Sequence, residues 1–319
     1  MSANIEAFKN ATPQSVKLIP RRVTIETVFA CNASCIMCPI DLPSKRTKGT
    51  MTQELFEKII DSLVPYKSQV EMMDLFGLGE PLLDKKIFER IKYVKDRGFR
   101  NVAISTNADL MGEDEQDKLL ASGIDTLIFS IDGFEKETHE TIRVGLDYEK
   151  LLRNCLSIIK KRDELDHPTK FVVRFIRQES NYEEWPPFKE FWTSKLKGKK
   201  GDLIIAYDVH TFGGNHESKD GLIGNNGRID EIERKPCDLI FDILYILADG
   251  TVPLCNEDWL DANYRFGNCN ETDPVEIFNH RSFQKIRERH ACGEKAKIKI
   301  CGDCTLHYSL DSREILTLQ

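Results

Sequence analysis

From Arg22 to Val209 the sequence alternates short β-rich runs with amphipathic helical stretches, and this alternation restricts the fold more than any other feature. The β-rich runs are Val23–Val28, Val70–Phe76, Asn101–Ser105, Asp125–Ser130, Phe171–Ile176 and Leu203–Val209. Between them, Leu55, Phe56, Ile59, Ile60 and Leu63 recur at helical spacing after Thr50, and further helices are predicted near Asp84–Arg97, Glu113–Ala121, Tyr148–Arg162 and Tyr182–Ser194. Gly98 stands where a left-handed C-cap would stop the helix before it. Six βα repeats of this kind require parallel strands joined by crossovers, in a partial barrel or an open doubly wound sheet.

The pattern ends near Gly213. The stretch GGNHESKDGLIGNNGR reads as a linker, and six of the ten cysteines fall between Cys237 and Cys304. The expected organisation is an extension over 1–21, a βα domain over 22–213, a linker over 214–234 and a cysteine-rich domain over 235–319. Apolar residues at 40% and charged residues at 30% support a sizeable core. A net charge of −7 without a Lys/Arg block argues against a nucleic-acid partner; Lys195, Lys197, Lys199 and Lys200, interleaved with Gly198, read as a solvated loop. The N-terminus has no apolar signal region, and DLIFDILYILADG, carrying Asp242, is too short to span a bilayer. The expectation is a cytoplasmic protein without a membrane partner. In a reducing compartment cysteines serve metals, clusters or reactive chemistry more often than disulfides.

Cys31, Cys35 and Cys38, spaced CxxxCxxC, follow the first strand. Three close thiolates can hold three irons of a 4Fe–4S cube and leave the fourth iron open. A structural zinc site would need a fourth ligand nearby, and none is present. Loops after strands build the active face of β/α barrels.

CNASCIMCPI resembles the signature of the radical S-adenosylmethionine (radical SAM) enzymes, and other segments resemble the family in order. Phe76-Gly77-Leu78-Gly79-Glu80-Pro81 is similar to its GGEP motif, with Leu78 in place of the first glycine. Ser105-Thr106-Asn107 and Ser130-Ile131-Asp132-Gly133 end the third and fourth strands and resemble its ribose- and carboxylate-contacting segments. Arg143 matches an arginine that pairs with the carboxylate of S-adenosylmethionine in members carrying extra iron–sulfur domains. The resemblance, from Val23 to Cys304, implies a partial (β/α)6 TIM-like barrel. It also implies Cys31, Cys35 and Cys38 on a cluster with an open iron, and S-adenosylmethionine against Gly77, Gly79, Glu80, Asn107, Ser130, Asp132 and Arg143. The implied chemistry is hydrogen abstraction by a 5′-deoxyadenosyl radical, with an electron donor of flavodoxin or ferredoxin type.

Cys237, Cys255, Cys301 and Cys304 resemble the smaller, twitch form of the family's C-terminal SPASM domain, because no cysteine follows Cys304. This implies one auxiliary 4Fe–4S cluster saturated by four cysteines and suited to electron transfer; four thiolates also suit zinc. The C-terminal pattern resembles that of aminocyclitol dehydrogenases, so the expected substrate is a sugar or aminocyclitol oxidised at a secondary alcohol. Asp208 and His210, ending the sixth strand, are candidate bases for its hydroxyl proton; Glu257 and Asp258 are weaker ones. Cys269 and Cys292 are candidate hydrogen donors or alternative ligands, which would make the chain an epimerase instead. A peptide maturase is a further alternative, opposed by the short stretch, about twenty residues, ahead of the first strand. A non-catalytic cluster-binding protein would leave Gly79, Glu80, Asn107, Ser130 and Arg143 without purpose. Cys155, Trp185, Phe188 and Trp192 are expected in the core, and His280, His290 and His307 are expected not to be ligands.

Overall fold

The computed structural model describes residues 3–10, 17–213 and 235–318; the expected linker, 214–234, lies outside the described residues. The six β-rich runs become the parallel core of one sheet: β1 (Arg22–Ile25), β5 (Met72–Asp74), β6 (Val102–Thr106), β7 (Thr126–Ser130), β9 (Lys170–Arg177) and β10 (Leu203–Asp208). They lie side by side in chain order, each parallel to the next, which is a partial (β/α)6 barrel. Between them run α2 (Gln53–Leu63), α3 (Ile87–Asp96), α4 (Glu113–Ala121), α6 (Tyr148–Glu164) and α7 (Trp185–Lys195). Thr52 caps α2 through its hydroxyl, which accepts from the Leu55 amide at 3.2 Å. Gly98, at φ +84°, follows α3 as a left-handed residue, as its position predicts.

Two elements depart from the sequence pattern for local reasons. The first strand breaks after Ile25, and Val28–Phe29 (β2) pairs instead with Gly49–Thr50 (β4). Glu26, buried and ion-paired with Arg46, sits at the break. The helix predicted from Tyr182 begins at Trp185, after a 3-10 turn; Pro186 and Pro187 fall in its first turn, where a missing N–H costs nothing.

The cysteine-rich part shares this sheet. Ile243–Ile246 (β11) lies parallel to β1, and Glu314–Thr317 (β12) lies antiparallel to β10, so C-terminal segments cover both edges of the six-stranded core. Covered edges leave fewer unpaired backbone groups, and they bind the two halves of the chain into one body.

Alternation along the strands separates a helix-facing side from an inner side. Phe171, Val173 and Phe175 are buried toward the helices, with Phe175 4.6 Å from Phe188 and 5.6 Å from Trp185 between ring centroids. Trp192 and Cys155 join the same core, as their helical spacing predicts. On the inner side the register aligns Ser130 with Arg174, Arg174 with Ile205, and Ile176 with Tyr207. Among the described residues no helix is long and apolar enough to cross a membrane.

Candidate functional site

The first thiol group is assembled by short-range structure at the open end of the parallel strands. Ser34–Cys35 (β3) pairs antiparallel with Arg143–Val144 (β8), which sets Cys35 opposite Arg143. The Cys38 amide donates to the Cys35 carbonyl at 2.9 Å, and Cys38 precedes a 3-10 turn with Pro39 in first place. Arg143 brings Nη1 to 3.8 Å from Cys35 Sγ. Burial pushes the Cys31 thiol up to about 11 and Cys38 to about 12; Cys35 is also raised by burial, with the Arg143 charge opposing. Such thiols ionise at neutral pH only when a cation compensates them, and a cluster's irons do that.

Three neighbouring loops lock onto this one. A Cβ at Gly79 would collide with the carbonyl oxygens of Val28 and Ala30, and the Glu80 amide donates to the Ala30 carbonyl at 2.8 Å. Only glycine permits this approach. A Cβ at Gly77 would likewise stand 2.6 Å from the Glu26 side chain. The buried Glu80 carboxylate accepts from the Asn107 amide at 2.8 Å, Thr106 Oγ1 at 2.7 Å and the Leu82 amide at 3.1 Å. Its oxygens are therefore engaged by the protein, and they fasten the loop after β5 to the end of β6. Asn107 Nδ2 in turn donates to Asn32 Oδ1, inside the cysteine loop, at 2.9 Å.

Asp132 is fully buried and forms an ion pair with Arg143 at 2.6 Å, while its second oxygen accepts from the Ile176 amide at 2.7 Å. It orients Arg143. Ser130 Oγ lies 3.2 Å from Ser105 Oγ, and Arg174 Nη2 donates to both. Arg174 has no acidic partner in any ion pair among the described residues, and its buried Nε has no hydrogen bond. Sequence reasoning did not anticipate Arg174. Its signal was a charge at the inner-facing register of FVVRFI, an otherwise apolar run.

The second thiol group is assembled over a long stretch of chain. Cys237, Cys255, Cys301 and Cys304 line one small cavity, with Glu257, His290 and His307 in its wall. Cys237 precedes a short helix, Leu239–Asp242 (α8); Cys255 caps a 3-10 turn; Cys301 lies in Lys299–Gly302. Burial pushes Cys237 up to about 11 and Cys301 to about 12, and Cys255 and Cys304 well above the usual thiol range. Zinc would draw four sulfurs to about 3.8 Å apart, given Zn–S of about 2.3 Å in a tetrahedron. No three His, Cys, Asp or Glu side chains among the described residues are grouped to hold one ion. Four thiols lining one cavity are a donor set that could hold an iron–sulfur cluster.

His290 is fully buried; its Nδ1 accepts from the Cys237 amide at 3.3 Å, and its Nε2 lies 3.4 Å from Cys301 Sγ. His280 instead caps the helix Arg281–Ala291, accepting from the Ser282 amide at 3.4 Å.

The other candidates have these surroundings. The Asp208 carboxylate is paired with Arg177 Nε at 2.9 Å, and Arg177 also pairs with Glu314 on β12. This ion pair ties β12 to β9 and β10 and engages the Asp208 carboxylate. Cys269 is packed in the main core with burial pushing its thiol up to about 12, and it lines neither thiol group. Cys292 is solvent-exposed at the C-cap of the 281–291 helix and does not line the cavity. Asp258 accepts backbone amides from Asn263 at 2.8 Å and Tyr264 at 2.9 Å, which makes it a turn-forming residue. His210 is buried, its Nδ1 is 3.1 Å from Glu257 Oε2, and Glu257 lines the second cavity.

Comparison with known proteins agrees with this geometry. Residues 25–164 match the radical SAM superfamily, and residues 237–305 match the SPASM iron–sulfur cluster-binding domain. An AdoMet-dependent heme synthase of Methanosarcina barkeri is 32% identical over 146 residues, covering 45% of this chain and 40% of that protein. A tungsten-containing aldehyde ferredoxin oxidoreductase cofactor-modifying protein of Pyrococcus furiosus is 27% identical over 172 residues, covering 52% of this chain and 46% of that protein. The chain thus spans about half or less of the length of these two relatives. Among solved structures, BtrN in complex with AdoMet and 2-DOIA superposes with a TM-score of 0.62 at 16% identity, covering 91% of this chain and 94% of that one. Streptococcus suis SuiB bound to the precursor peptide SuiA gives 0.67 at 15% identity, covering 93% and 73%. At such identity these likenesses show the fold.

Proposed function

From the premise that this chain is a radical SAM enzyme with a SPASM domain, using S-adenosylmethionine, a 4Fe–4S cluster and auxiliary iron–sulfur chemistry, we propose that it oxidises a secondary alcohol of a sugar or aminocyclitol. In this reading Cys31, Cys35 and Cys38 hold the reactive cluster, and Cys237, Cys255, Cys301 and Cys304 hold a single auxiliary cluster. Residues 22–213 form the barrel domain and 235–319 a twitch-type domain. When bound, the cofactors supply a 5′-deoxyadenosyl radical and an acceptor for the electron left on the substrate. A flavodoxin or ferredoxin supplies the reducing electron.

The chain's residues have binding and proton-handling tasks. Gly77 and Gly79 bring backbone close to the methionine end of S-adenosylmethionine. Glu80 and Asn107 hold that loop in place, and Arg143, steadied by Asp132, faces the carboxylate. Arg174, Ser105 and Ser130 present a hydrogen-bonding wall on the inner side of the strands. His210, with Nδ1 3.1 Å from Glu257 Oε2, is the residue placed to receive the hydroxyl proton.

One observation carries the choice of oxidation: four thiols line one cavity, while neither Cys269 nor Cys292 lines it. An auxiliary cluster saturated by protein ligands accepts electrons and does not bind substrate, and an epimerase would need a thiol donor that can reach its substrate. The test is anaerobic turnover with dithionite and S-adenosylmethionine over sugars and aminocyclitols, followed by mass spectrometry. Loss of two hydrogens with one 5′-deoxyadenosine per product is the expected result. Solvent deuterium gained at constant hydrogen count would indicate epimerisation. The fold likeness to SuiB makes peptide modification the second reading, and turnover only with peptide substrates would establish it.

A further inference from the structure

The imidazole of His290 bridges two cysteines separated by 64 positions in sequence, through opposite ring nitrogens. The Cys237 amide can only donate, so Nδ1, at 3.3 Å, is the acceptor and carries no proton. The ring proton therefore resides on Nε2, which faces Cys301 Sγ at 3.4 Å. The helix bearing His290 is fixed for this task one turn earlier. Arg287 Nε donates to the Ile240 carbonyl at 2.8 Å and Nη1 to the Phe278 carbonyl at 2.6 Å, so the helix is fastened to the segment that follows Cys237. Phe283, on the same helix, stacks on Phe266 at 4.2 Å between centroids. His290 is therefore held to the cavity wall by bonds that are independent of the thiols.

We propose that His290 sets the reduction potential of the auxiliary centre by donating an N–H···S hydrogen bond to Cys301. This rests on the reading that the four cysteines hold that cluster. Reduction adds negative charge that is shared by the cysteinyl sulfurs, so a donor aimed at one of them stabilises the reduced form more than the oxidised form. The result is a higher midpoint potential and a better electron acceptor. His290 acts through Cys301 and is a positioning residue, not a ligand.

The test uses the full chain carrying Cys31→Ala, Cys35→Ala and Cys38→Ala, reconstituted anaerobically so that only the auxiliary cluster remains. Midpoint potential is read by EPR-monitored redox titration. With His290 present the protein should bind about four irons, as one 4Fe–4S cluster does. His290→Leu should keep that iron and titrate at a more negative potential, and His290→Gln, which retains an N–H donor, should return toward the parent value. An unchanged potential in His290→Leu overturns the proposal. Loss of iron from both the Leu and Gln variants overturns it too, because His290 would then be a ligand or a folding residue. If His290→Leu does not fold, pulsed EPR on the parent chain labelled with 15N-histidine decides. A weak nitrogen coupling supports the hydrogen bond, whereas no coupling, or one large enough for direct ligation, sinks it. A parent chain that binds no iron refutes the four-cysteine reading itself, an outcome distinct from failure of the His290 proposal.

Discussion

The two thiol groups of this chain are built in opposite ways. Cys31, Cys35 and Cys38 lie within eight residues, are each part-exposed, and stand beside the buried Arg143–Asp132 pair. Cys237, Cys255, Cys301 and Cys304 come from a stretch of 68 residues and converge on a cavity whose wall includes His290 and Glu257. Three thiols on one loop would leave a coordination position of a cluster for a cofactor; four thiols around one cavity would leave none. Open ligation suits bond cleavage and closed ligation suits electron storage. One chain places both kinds of site on the same sheet, because its C-terminal segments supply strands to both edges.

The largest effect should come from interchanging the losses. Cys38→Ala should abolish S-adenosylmethionine cleavage and remove about half of the iron, whereas Cys255→Ala should remove a similar share yet leave abortive cleavage in place while product formation disappears. Iron content and 5′-deoxyadenosine release, measured side by side, check this; equal loss of cleavage in both variants would erase the functional distinction.

Asp132→Ala tests whether the open site depends on its buried ion pair. It strands Arg143 without a counter-charge, at a cost of about 3–5 kcal/mol in urea unfolding. A KM for S-adenosylmethionine that rises in Asp132→Asn, which is near-isosteric, would separate orientation of Arg143 from folding. Gly79→Ala should cost less, about 1–3 kcal/mol, through collision with the Val28 and Ala30 carbonyls. Its effect should fall on the open site, with reduced iron at Cys31, Cys35 and Cys38 and normal iron at the other four cysteines.

The last comparison is a pH dependence. His139 is buried behind the open site, where its Nδ1 accepts from the Asp132 amide at 3.3 Å. Burial, with a smaller contribution from the Arg143 charge, lowers its pKa to about 3. The unfolded chain takes up the proton near pH 6.5 while the folded chain does not. His139 therefore contributes full stability above about pH 6.5, and this is lost as pH falls toward 3, at up to about 1.4 kcal/mol per pH unit. His139→Asn, which keeps an acceptor, should flatten the slope between pH 6.5 and 5 in urea unfolding; an unaltered slope would contradict the assignment.

Much of the open site was legible because its determinants are local. CxxxCxxC places three thiols on one loop whatever the remainder of the chain does, and the glycines at 77 and 79 stand where the backbone has no room for a side chain. Other residues were recognised but their use was not. Glu80 and Asp132 read as ligand contacts, yet their oxygens are occupied by Thr106, Asn107 and Leu82 in one case and by Arg143 and Ile176 in the other. Asp208 read as a base, and its carboxylate belongs to Arg177 and, through it, to Glu314.

The sequence by itself determined the six βα repeats, the cysteine triplet and the identity of the four later cysteines, since periodicity and short spacings act within a few residues of chain. Only the tertiary structure decided that β11 and β12 cover opposite edges of the sheet, that Arg174 faces Ser105 and Ser130 with no counter-charge among the described residues, that Cys269 is sealed in the core, and that His290 joins Cys237 to Cys301. Such relations connect residues tens to hundreds of positions apart. They depend on strand register and on which faces pack together, and those are settled by burial of the whole core.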